Sequence, residues 1–241
     1  MTDKNHIPIL MYHSIESMPK NTVMRSLHVS PRQFQFQMWM LKILGYKGLS
    51  LNKIKPYLDG LKKGKVVGIT FDDGYQNILF NAAPILLKYN FSATCYIVSD
   101  NLGLTNIWDQ DKGITQRALM TADEINKWLS LGMDIGAHTL THPDLTNISI
   151  EAAEKEINEC KLDLEDTFKI KVNDFCYPFG KFNELISNIV RDAGYHSAST
   201  MQRGRTRQSS NRFALPRIPI NYRTLPHLFL TKILTKYEDN R

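Results

Sequence analysis

Along the chain, short apolar runs alternate with longer stretches in which hydrophobic residues recur with helical periodicity. The short runs are rich in β-branched and aromatic residues, which is typical of buried strands. Each is followed by a polar turn and usually by a longer amphipathic stretch. The predicted strands cover residues 7–12, 65–71, 92–98, 133–139, 173–180, 195–199 and 213–220.

The longer stretches predict helices with recognisable start signals. Ser30 opens an S-x-x-Q capping box and Thr121 opens a T-x-x-E capping box, each directly before an amphipathic stretch. Within the first helix we interpret Met38, Trp39 and Met40 as packing residues. The predicted helices cover residues 30–44, 77–89, 121–132, 149–168, 183–194 and 225–237.

This alternation of strands and helices predicts an α/β fold with a parallel sheet and crossover helices. About seven strand–helix units over residues 1–241 favour a single domain built as a distorted or incomplete (β/α) barrel of about seven parallel strands. In barrels and in open parallel sheets alike, functional residues gather at the carboxyl ends of the strands. Polar side chains should therefore cluster where the apolar runs stop.

Such polar side chains follow five of the predicted strands. They are chemically specific types rather than general surface residues, and packing alone does not explain them. The strand-end residues are His13, Asp72 with Asp73, His138 with His142, Tyr177 to Gly180, and Arg217.

The histidines at positions 138 and 142 are spaced to bind one metal ion if they share a face of a helical turn. Imidazole is a favoured ligand of zinc, iron, nickel and copper. The same spacing also occurs incidentally. A catalytic site needs a third protein ligand and an open position for water, and a carboxylate from another strand end would supply that ligand.

The adjacent pair Asp72 and Asp73 ends an apolar run with no spacer. One carboxylate could bind a metal while the other accepts a proton from water, and the metal charge would offset the repulsion between the two acids. The alternative is that "DDG" is only a turn that caps the next helix. The presence of "HTLTHP" elsewhere in the chain favours the metal site.

Composition narrows the function classes. The net charge is +6, from 30 basic and 24 acidic residues, and this modest excess does not indicate nucleic-acid binding.

No apolar run reaches the roughly 18 to 20 residues of a membrane span. The start does not resemble a signal peptide, so we expect a cytoplasmic protein without a transmembrane segment. Cys95, Cys160 and Cys176 are too few and too dispersed for a disulfide framework.

One basic loop stands out from the rest of the chain. It is either an ordinary solvated loop or a phosphate contact, since arginine forks suit phosphate. The arginines concerned are Arg203, Arg205, Arg207 and Arg212.

The motifs "TFDDG" (70–74), "HTLTHP" (138–143) and "YPFG" (177–180) together resemble the polysaccharide deacetylase family, carbohydrate esterase family four. "PILMYHSI" and "NIWD" resemble its branch with an N-terminal "YH" strand motif, which acts on bacterial surface polysaccharide. The resemblance implies that Asp72 is the general base and that Asp73, His138 and His142 bind a divalent metal. Zinc is the expected metal, with nickel, cobalt, iron and manganese as alternatives. It also implies substrate or oxyanion contacts from Tyr177, Phe179, Gly180 and Arg217, with the Phe179 amide as the oxyanion donor.

Two positions depart from the family pattern. Cys176 stands where the family's third motif usually has an arginine, and Arg217 stands where its last motif usually has a histidine. We hypothesise that His13 supplies the missing general acid and that Arg217 pairs with Asp72. The alternative for His13 is a structural strand histidine.

The resemblance implies hydrolysis of an N-acetyl group on an amino-sugar saccharide. The expected substrate is a precursor of a bacterial surface polysaccharide, linked to a nucleotide or a lipid phosphate that the basic loop would contact. Two alternatives remain open: an amidohydrolase acting on a non-sugar amide or formamide, and a catalytically inactive carbohydrate-binding domain.

Overall fold

The structure, a computed structural model, describes residues 6–240. Strands and helices alternate through most of this range. The strands are β1 (Ile9–Tyr12), β2 (Ser14–Ile15), β3 (His28–Val29), β4 (Lys47–Leu49), β5 (Val66–Phe71), β6 (Thr94–Ile97), β7 (Asp134–Ala137), β8 (Asp174–Cys176), β9 (Ser197–Arg203) and β10 (Leu215–Pro219). The α-helices are α1 (Pro31–Ile43), α2 (Leu51–Leu58), α3 (Ala83–Lys88), α4 (Ala122–Ser130), α5 (Ile150–Phe168), α6 (Glu184–Asp192) and α7 (Pro226–Leu234).

Seven parallel strands close into a barrel. The ring runs β1, β10, β9, β8, β7, β6 and β5, and β5 pairs back onto β1. β4 is an additional strand that pairs with the first half of β5. The predicted barrel of about seven parallel strands is thus confirmed, and its ring is closed.

The two-residue period of the strands decides which side chains face the barrel interior. In and after β5, Thr70 and Asp72 point inward, whereas Phe71 packs outward against α4. Arg217 on β10 has the same inward orientation, as does His13 one residue after β1. The alternating side-chain direction along β1, β5 and β10 therefore decides which polar residues meet inside the barrel at its carboxyl end.

The capping residues predicted at the starts of the helices largely form the expected hydrogen bonds. Thr121 and Glu124 form the complete capping box at the start of α4. At α1 the Ser30 hydroxyl accepts from the Gln33 amide. The Gln33 side chain does not return the bond, because it donates to backbone carbonyls of residues 221 and 224. The predicted helix at 77–89 begins with a π-helical turn at Ile78–Ala82 before α3.

Four strands and helices of the structure are absent from the sequence prediction. They are β4, α2 and the two-residue parallel pair formed by β2 and β3. Trp39 also differs from its interpretation as a packing residue, because it lies exposed on α1 while Met38 and Met40 are buried. Among residues 6–240, no helix is both long enough and apolar enough to cross a bilayer.

Candidate active site

A cleft of about 450 Å³ opens at the carboxyl ends of the barrel strands. Its floor is polar and its walls are largely apolar. The floor residues are His13, Asp72, Asp73, His138 and His142. The walls include Met11, Val23, Met24, Leu27, Trp108, Ile114, Phe179, Met201 and Ile220. The strand-end residues singled out by the sequence thus converge on one cavity, apart from Pro178 and Arg217. Arg217 is buried and is not among the lining residues, so the structure does not support its predicted contact with substrate.

Asp73, His138 and His142 form a compact set of ligand atoms at the base of this cleft. The Nε2 atoms of both histidines lie 3.5 Å from Asp73 Oδ1, and the three ligand atoms are within 4.8 Å of one another. All three residues are buried. His138 Nδ1 lies 2.6 Å from the Cys176 carbonyl oxygen, a contact that directs Nε2 toward Asp73, as is usual for metal-binding histidines.

A second set, Asp72, His138 and Cys176, also lies within 4.8 Å. Arg217 already donates to both carboxylate oxygens of Asp72 and lies 3.2 Å from the Cys176 sulfur. A cation held there would face a guanidinium. The donor types and the neighbouring charges therefore fit a divalent metal at Asp73, His138 and His142, and disfavour the second set.

The turn that carries the two histidines is not helical. Thr139 and His142 both have positive φ, at 70° and 65°, so the two imidazoles meet through an irregular turn and not through a shared helical face. The Thr139 hydroxyl accepts from the His142 amide at 2.9 Å. Glu156 on α5 accepts from the amides of Leu140 and Thr141. These side-chain acceptors hold a backbone that non-glycine residues rarely adopt.

The two histidines are fixed in different ways. His138 has its contact with a carbonyl, whereas His142 Nδ1 is buried without a hydrogen-bond partner within residues 6–240. The His142 ring is packed between aromatic rings instead. Trp108 stacks on it at 4.6 Å between centroids, and Phe179 meets it edge-on at 4.7 Å.

Two side chains lie against Asp72. Arg217 donates to both of its oxygens, at 2.6 and 2.8 Å, and His13 Nε2 lies 3.8 Å from Oδ2. Burial alone would raise the pKa of Asp72, but Arg217 and then His13 lower it, so that the net pKa is below its ordinary value. Arg217 is fixed in turn by the Thr200 carbonyl and the Thr70 hydroxyl. The structure thus places Arg217 against Asp72, as the hypothesis that these two residues pair requires.

Asp73 is also kept ionised. Burial would raise its pKa, but hydrogen bonds from the two histidines hold that pKa well below its ordinary value. Two adjacent acids thus remain charged in one buried site because each has its own partners. Asp73 has a φ of 72°, so the backbone turns between them and gives the two carboxylates different surroundings.

The residues predicted to contact substrate surround this floor. Phe179 has a φ of 56°, and Lys112 lies 4.3 Å above its ring. Gly180 lies so close to Met201 that an added Cβ would come within 2.5 Å. Tyr177 is among the residues that line the cleft, but its ring stacks on Phe182 and its hydroxyl donates to the Phe213 carbonyl, and neither partner lines the cleft.

The basic loop does not reach the cleft, since none of its four arginines is among the residues that line it. Each arginine is paired with an acid elsewhere in the chain. The pairs are Arg203 with Glu238, Arg205 and Arg207 with Asp239, and Arg212 with Asp59. The structure therefore gives no support to a phosphate contact by this loop at the active site.

Several site residues could not be identified as such from the sequence. Trp108 lies in "NIWD", which the sequence linked only to a branch of the family. Lys112 and Glu156 lie in segments with no motif. Each reaches the site through tertiary packing across long sequence separations, for which a single sequence carries no signal.

The comparisons with known proteins agree with this geometry. Residues 59–198 match the polysaccharide deacetylase family, and the chain belongs to that family. It is 30% identical over 219 residues to the poly-beta-1,6-N-acetyl-D-glucosamine N-deacetylase of Staphylococcus aureus. That match covers 85% of this chain and 71% of the relative.

Solved structures show the same barrel. The deacetylase PplD of Streptococcus pyogenes, in complex with acetate, superposes with a TM-score of 0.82 at 28% identity, covering 95% of this chain and 98% of that one. A polysaccharide deacetylase from Bacillus cereus superposes with a TM-score of 0.82 at 26% identity, covering 95% and 69%.

Proposed function

We propose that this protein is a metal-dependent hydrolase that removes N-acetyl groups from an amino-sugar saccharide. The observation that carries the proposal is the placement of two differently partnered carboxylates on one cleft floor. Asp73 lies between two imidazoles, and Asp72 lies between Arg217 and His13. A binding domain would not require a buried, ionised carboxylate beside a metal-ligand set.

Asp73, His138 and His142 would hold the metal. Zinc fits the mixed imidazole and carboxylate donors, and nickel, cobalt, iron and manganese are alternatives to be separated by experiment. Such a metal would polarise the acetamide carbonyl and lower the pKa of water at the site.

Asp72 is the general base in this proposal. Its lowered pKa keeps it ionised at neutral pH, and Arg217 fixes the orientation of both oxygens. Arg217 thus takes the place of the family arginine that Cys176 replaces. Proton transfer to a positioned carboxylate typically contributes about 10²- to 10⁴-fold to rate.

His13 is the general acid that protonates the departing amine. It is the imidazole on the cleft floor that does not belong to the metal-ligand set, and its Nε2 faces Asp72 at 3.8 Å. The Phe179 amide is assigned to the developing oxyanion, as the resemblance implies, with Tyr177 and Gly180 shaping that side of the cleft.

The substrate class follows from the family and from the named activity of the Staphylococcus aureus relative. A surface-polysaccharide chain or its precursor is the proposed substrate. A nucleotide or lipid phosphate on that precursor would have to be bound by groups other than the basic loop. The cytoplasmic location stays a prediction from the sequence.

Acetate release from N-acetylglucosamine oligomers tests this function. Acetate release from simple acetamides and formate release from formamides separate it from a non-sugar amidohydrolase. We expect release from the oligomers that stops on chelation and returns with added zinc. Release from the simple amides alone would assign the amidohydrolase, and binding of oligomers without any release would assign an inactive domain.

A further inference from the structure

Helix α1 distributes its side chains in an unusual way. It buries the polar Gln37, which is 1% exposed, yet leaves Phe36 and Trp39 exposed at 42% and 43%. The two exposed rings pack on each other with centroids 5.1 Å apart. Ile43, one turn further along, is also exposed. Exposed aromatic side chains grouped in this way mark interaction sites more often than isolated ones do.

The exposed rings belong to a surface that continues onto α3. A groove of about 340 Å³ is lined by Arg32, Gln35, Phe36, Trp39, Lys88 and Tyr89. Leu87, next to Lys88, is exposed as well. We call the surface formed by Arg32, Phe36, Trp39, Ile43, Leu87 and Lys88 the α1–α3 face.

The two chain segments that form this face carry charge of one sign. Segments 17–58 and 74–99, which include α1 and α3, contain no aspartate or glutamate. They do contain eight lysines and arginines: Lys20, Arg25, Arg32, Lys42, Lys47, Lys53, Lys55 and Lys88. Within the described part of the chain, neither Arg32 nor Lys88 forms an ion pair. The face is therefore open to an anionic partner.

We propose that the α1–α3 face docks on an anionic lipid bilayer. Aromatic and aliphatic side chains flanked by lysine and arginine suit the boundary between headgroups and acyl chains. Indole in particular favours that boundary. A neutral glycan is a poorer match, because it offers no negative charge to Arg32 and Lys88, whereas an anionic bilayer supplies both an apolar layer and negative charge.

This docking leaves the active-site cleft accessible, because none of the residues of the α1–α3 face lines that cleft. The protein would act on saccharide close to a bilayer while the barrel opening stays free. The inference stands independently of the proposed chemistry, and its test does not use catalytic activity as the main readout.

The test is co-sedimentation with vesicles of phosphatidylcholine alone or mixed with phosphatidylglycerol. We expect the wild-type protein to bind the anionic vesicles more tightly, and added salt to weaken that binding. Phe36→Ser with Trp39→Ser, and separately Arg32→Glu with Lys88→Glu, should each weaken binding about tenfold or more. Both variants should retain their circular dichroism spectra, since the residues are exposed.

A matched control changes exposed residues outside the face. Leu162→Ser with Leu185→Ser removes exposed apolar side chains from α5 and α6, and Lys155→Glu with Lys171→Glu reverses two exposed charges. Both controls should bind as the wild type does. Insertion of Trp39 into the bilayer should shift the tryptophan emission of the wild-type protein to shorter wavelength. Trp39→Phe should keep the binding but lose most of this shift.

Failure of the wild-type protein to bind anionic vesicles at low salt would overturn the proposal. So would an equal loss of binding in the control variants. Binding to a soluble anionic polymer such as dextran sulfate, with no binding to vesicles, would assign the face to a different class of partner and would equally overturn it.

Discussion

Two buried carboxyl groups face the barrel interior at its opposite ends, and their pKa values are shifted in opposite directions. Asp72 lies at the carboxyl end and is 3% exposed; Asp174 lies at the amino end, at the start of β8, and is 5% exposed. Arg217 and His13 bring the pKa of Asp72 below its ordinary value. Burial raises the pKa of Asp174 from 3.8 to about 6.

The two pKa values differ because the neighbouring groups differ, since both carboxyl groups are buried. Asp174 accepts from the Ser197 hydroxyl, whereas its Oδ2 has no hydrogen-bond partner within residues 6–240. Asp134 nearby adds a second negative charge that raises the pKa further. Desolvation disfavours the charged form in both places. Lys161 and Lys55 lower the pKa of Asp174 without forming an ion pair with it among residues 6–240, whereas Arg217 donates to both oxygens of Asp72. The barrel thus keeps a charged acid where chemistry is proposed and a partly protonated one where it is not.

Neutralising each acid should separate the two roles most clearly. We expect Asp72→Asn to lower kcat by about 10³-fold, because the general base is lost while the fold is kept. Asp174→Asn should leave kcat within about twofold of the wild-type value, since it lies at the end of the barrel that governs stability. Steady-state acetate release measures both, and comparable losses in the two variants would show that position along the barrel does not matter.

Removing the cation should turn Asp72 into an uncompensated buried charge. Arg217→Met is expected to lower the free energy of unfolding by about 3–5 kcal/mol. Combining Arg217→Met with Asp72→Asn should restore part of that loss, because the orphaned charge is gone. Urea unfolding of the two single variants and the double variant gives the coupling. Strict additivity would contradict a direct dependence of Asp72 on Arg217.

Asp174 should make stability depend on pH with a definite sign. Its folded-state pKa of about 6 exceeds the unfolded value near 3.8, so the folded state binds its proton more tightly. The stability that this proton confers is present in full below about pH 3.8 and is lost as the pH rises through 6. Asp174→Asn should therefore stabilise the protein by about 3 kcal/mol at pH 8 and leave it nearly unchanged at pH 4. Unfolding curves at both pH values test this, and a variant less stable at pH 8 would refute it.

The aromatic packing around His142 should have a smaller effect. Trp108→Leu removes the ring that stacks on His142, whose Nδ1 has no hydrogen-bond partner in the described chain. We expect zinc affinity to fall about tenfold, within the range seen when the supports of a metal ligand are removed. Trp108→Phe should recover most of it. Chelator competition gives the dissociation constants, and an unchanged affinity for Trp108→Leu would mean that stacking does not position His142.

The sequence was most informative where local periodicity carries the information. The strand-end position was enough to place His13, Asp72 and Arg217 at one end of the barrel, and the departures from the family motifs suggested the pairing of Arg217 with Asp72. The (β/α) barrel followed from the regular succession of runs. Both inferences depend on backbone geometry, which is nearly the same in every protein.

Tertiary contacts explain what the sequence did not reveal. Glu156 of helix α5 holds the turn at 138–142, so the residues of the turn itself do not indicate its positive φ values. The arginines of the basic loop are paired with acids that lie mostly near the C-terminus, a pairing that no spacing rule predicts. Trp39 fits the helical pattern of a packing residue, yet Gln37 takes the buried position because Tyr12 and Thr224 bond its side chain.

The most direct test of the proposed active site is metal content and acetate release measured on the same samples. We expect about one zinc per chain in the wild-type protein, with release from N-acetylglucosamine oligomers. Asp73→Asn should lose both the metal and the release, whereas Asp72→Asn should keep the metal and lose the release. Undiminished acetate release by metal-free Asp73→Asn protein would contradict the division of roles between the two aspartates.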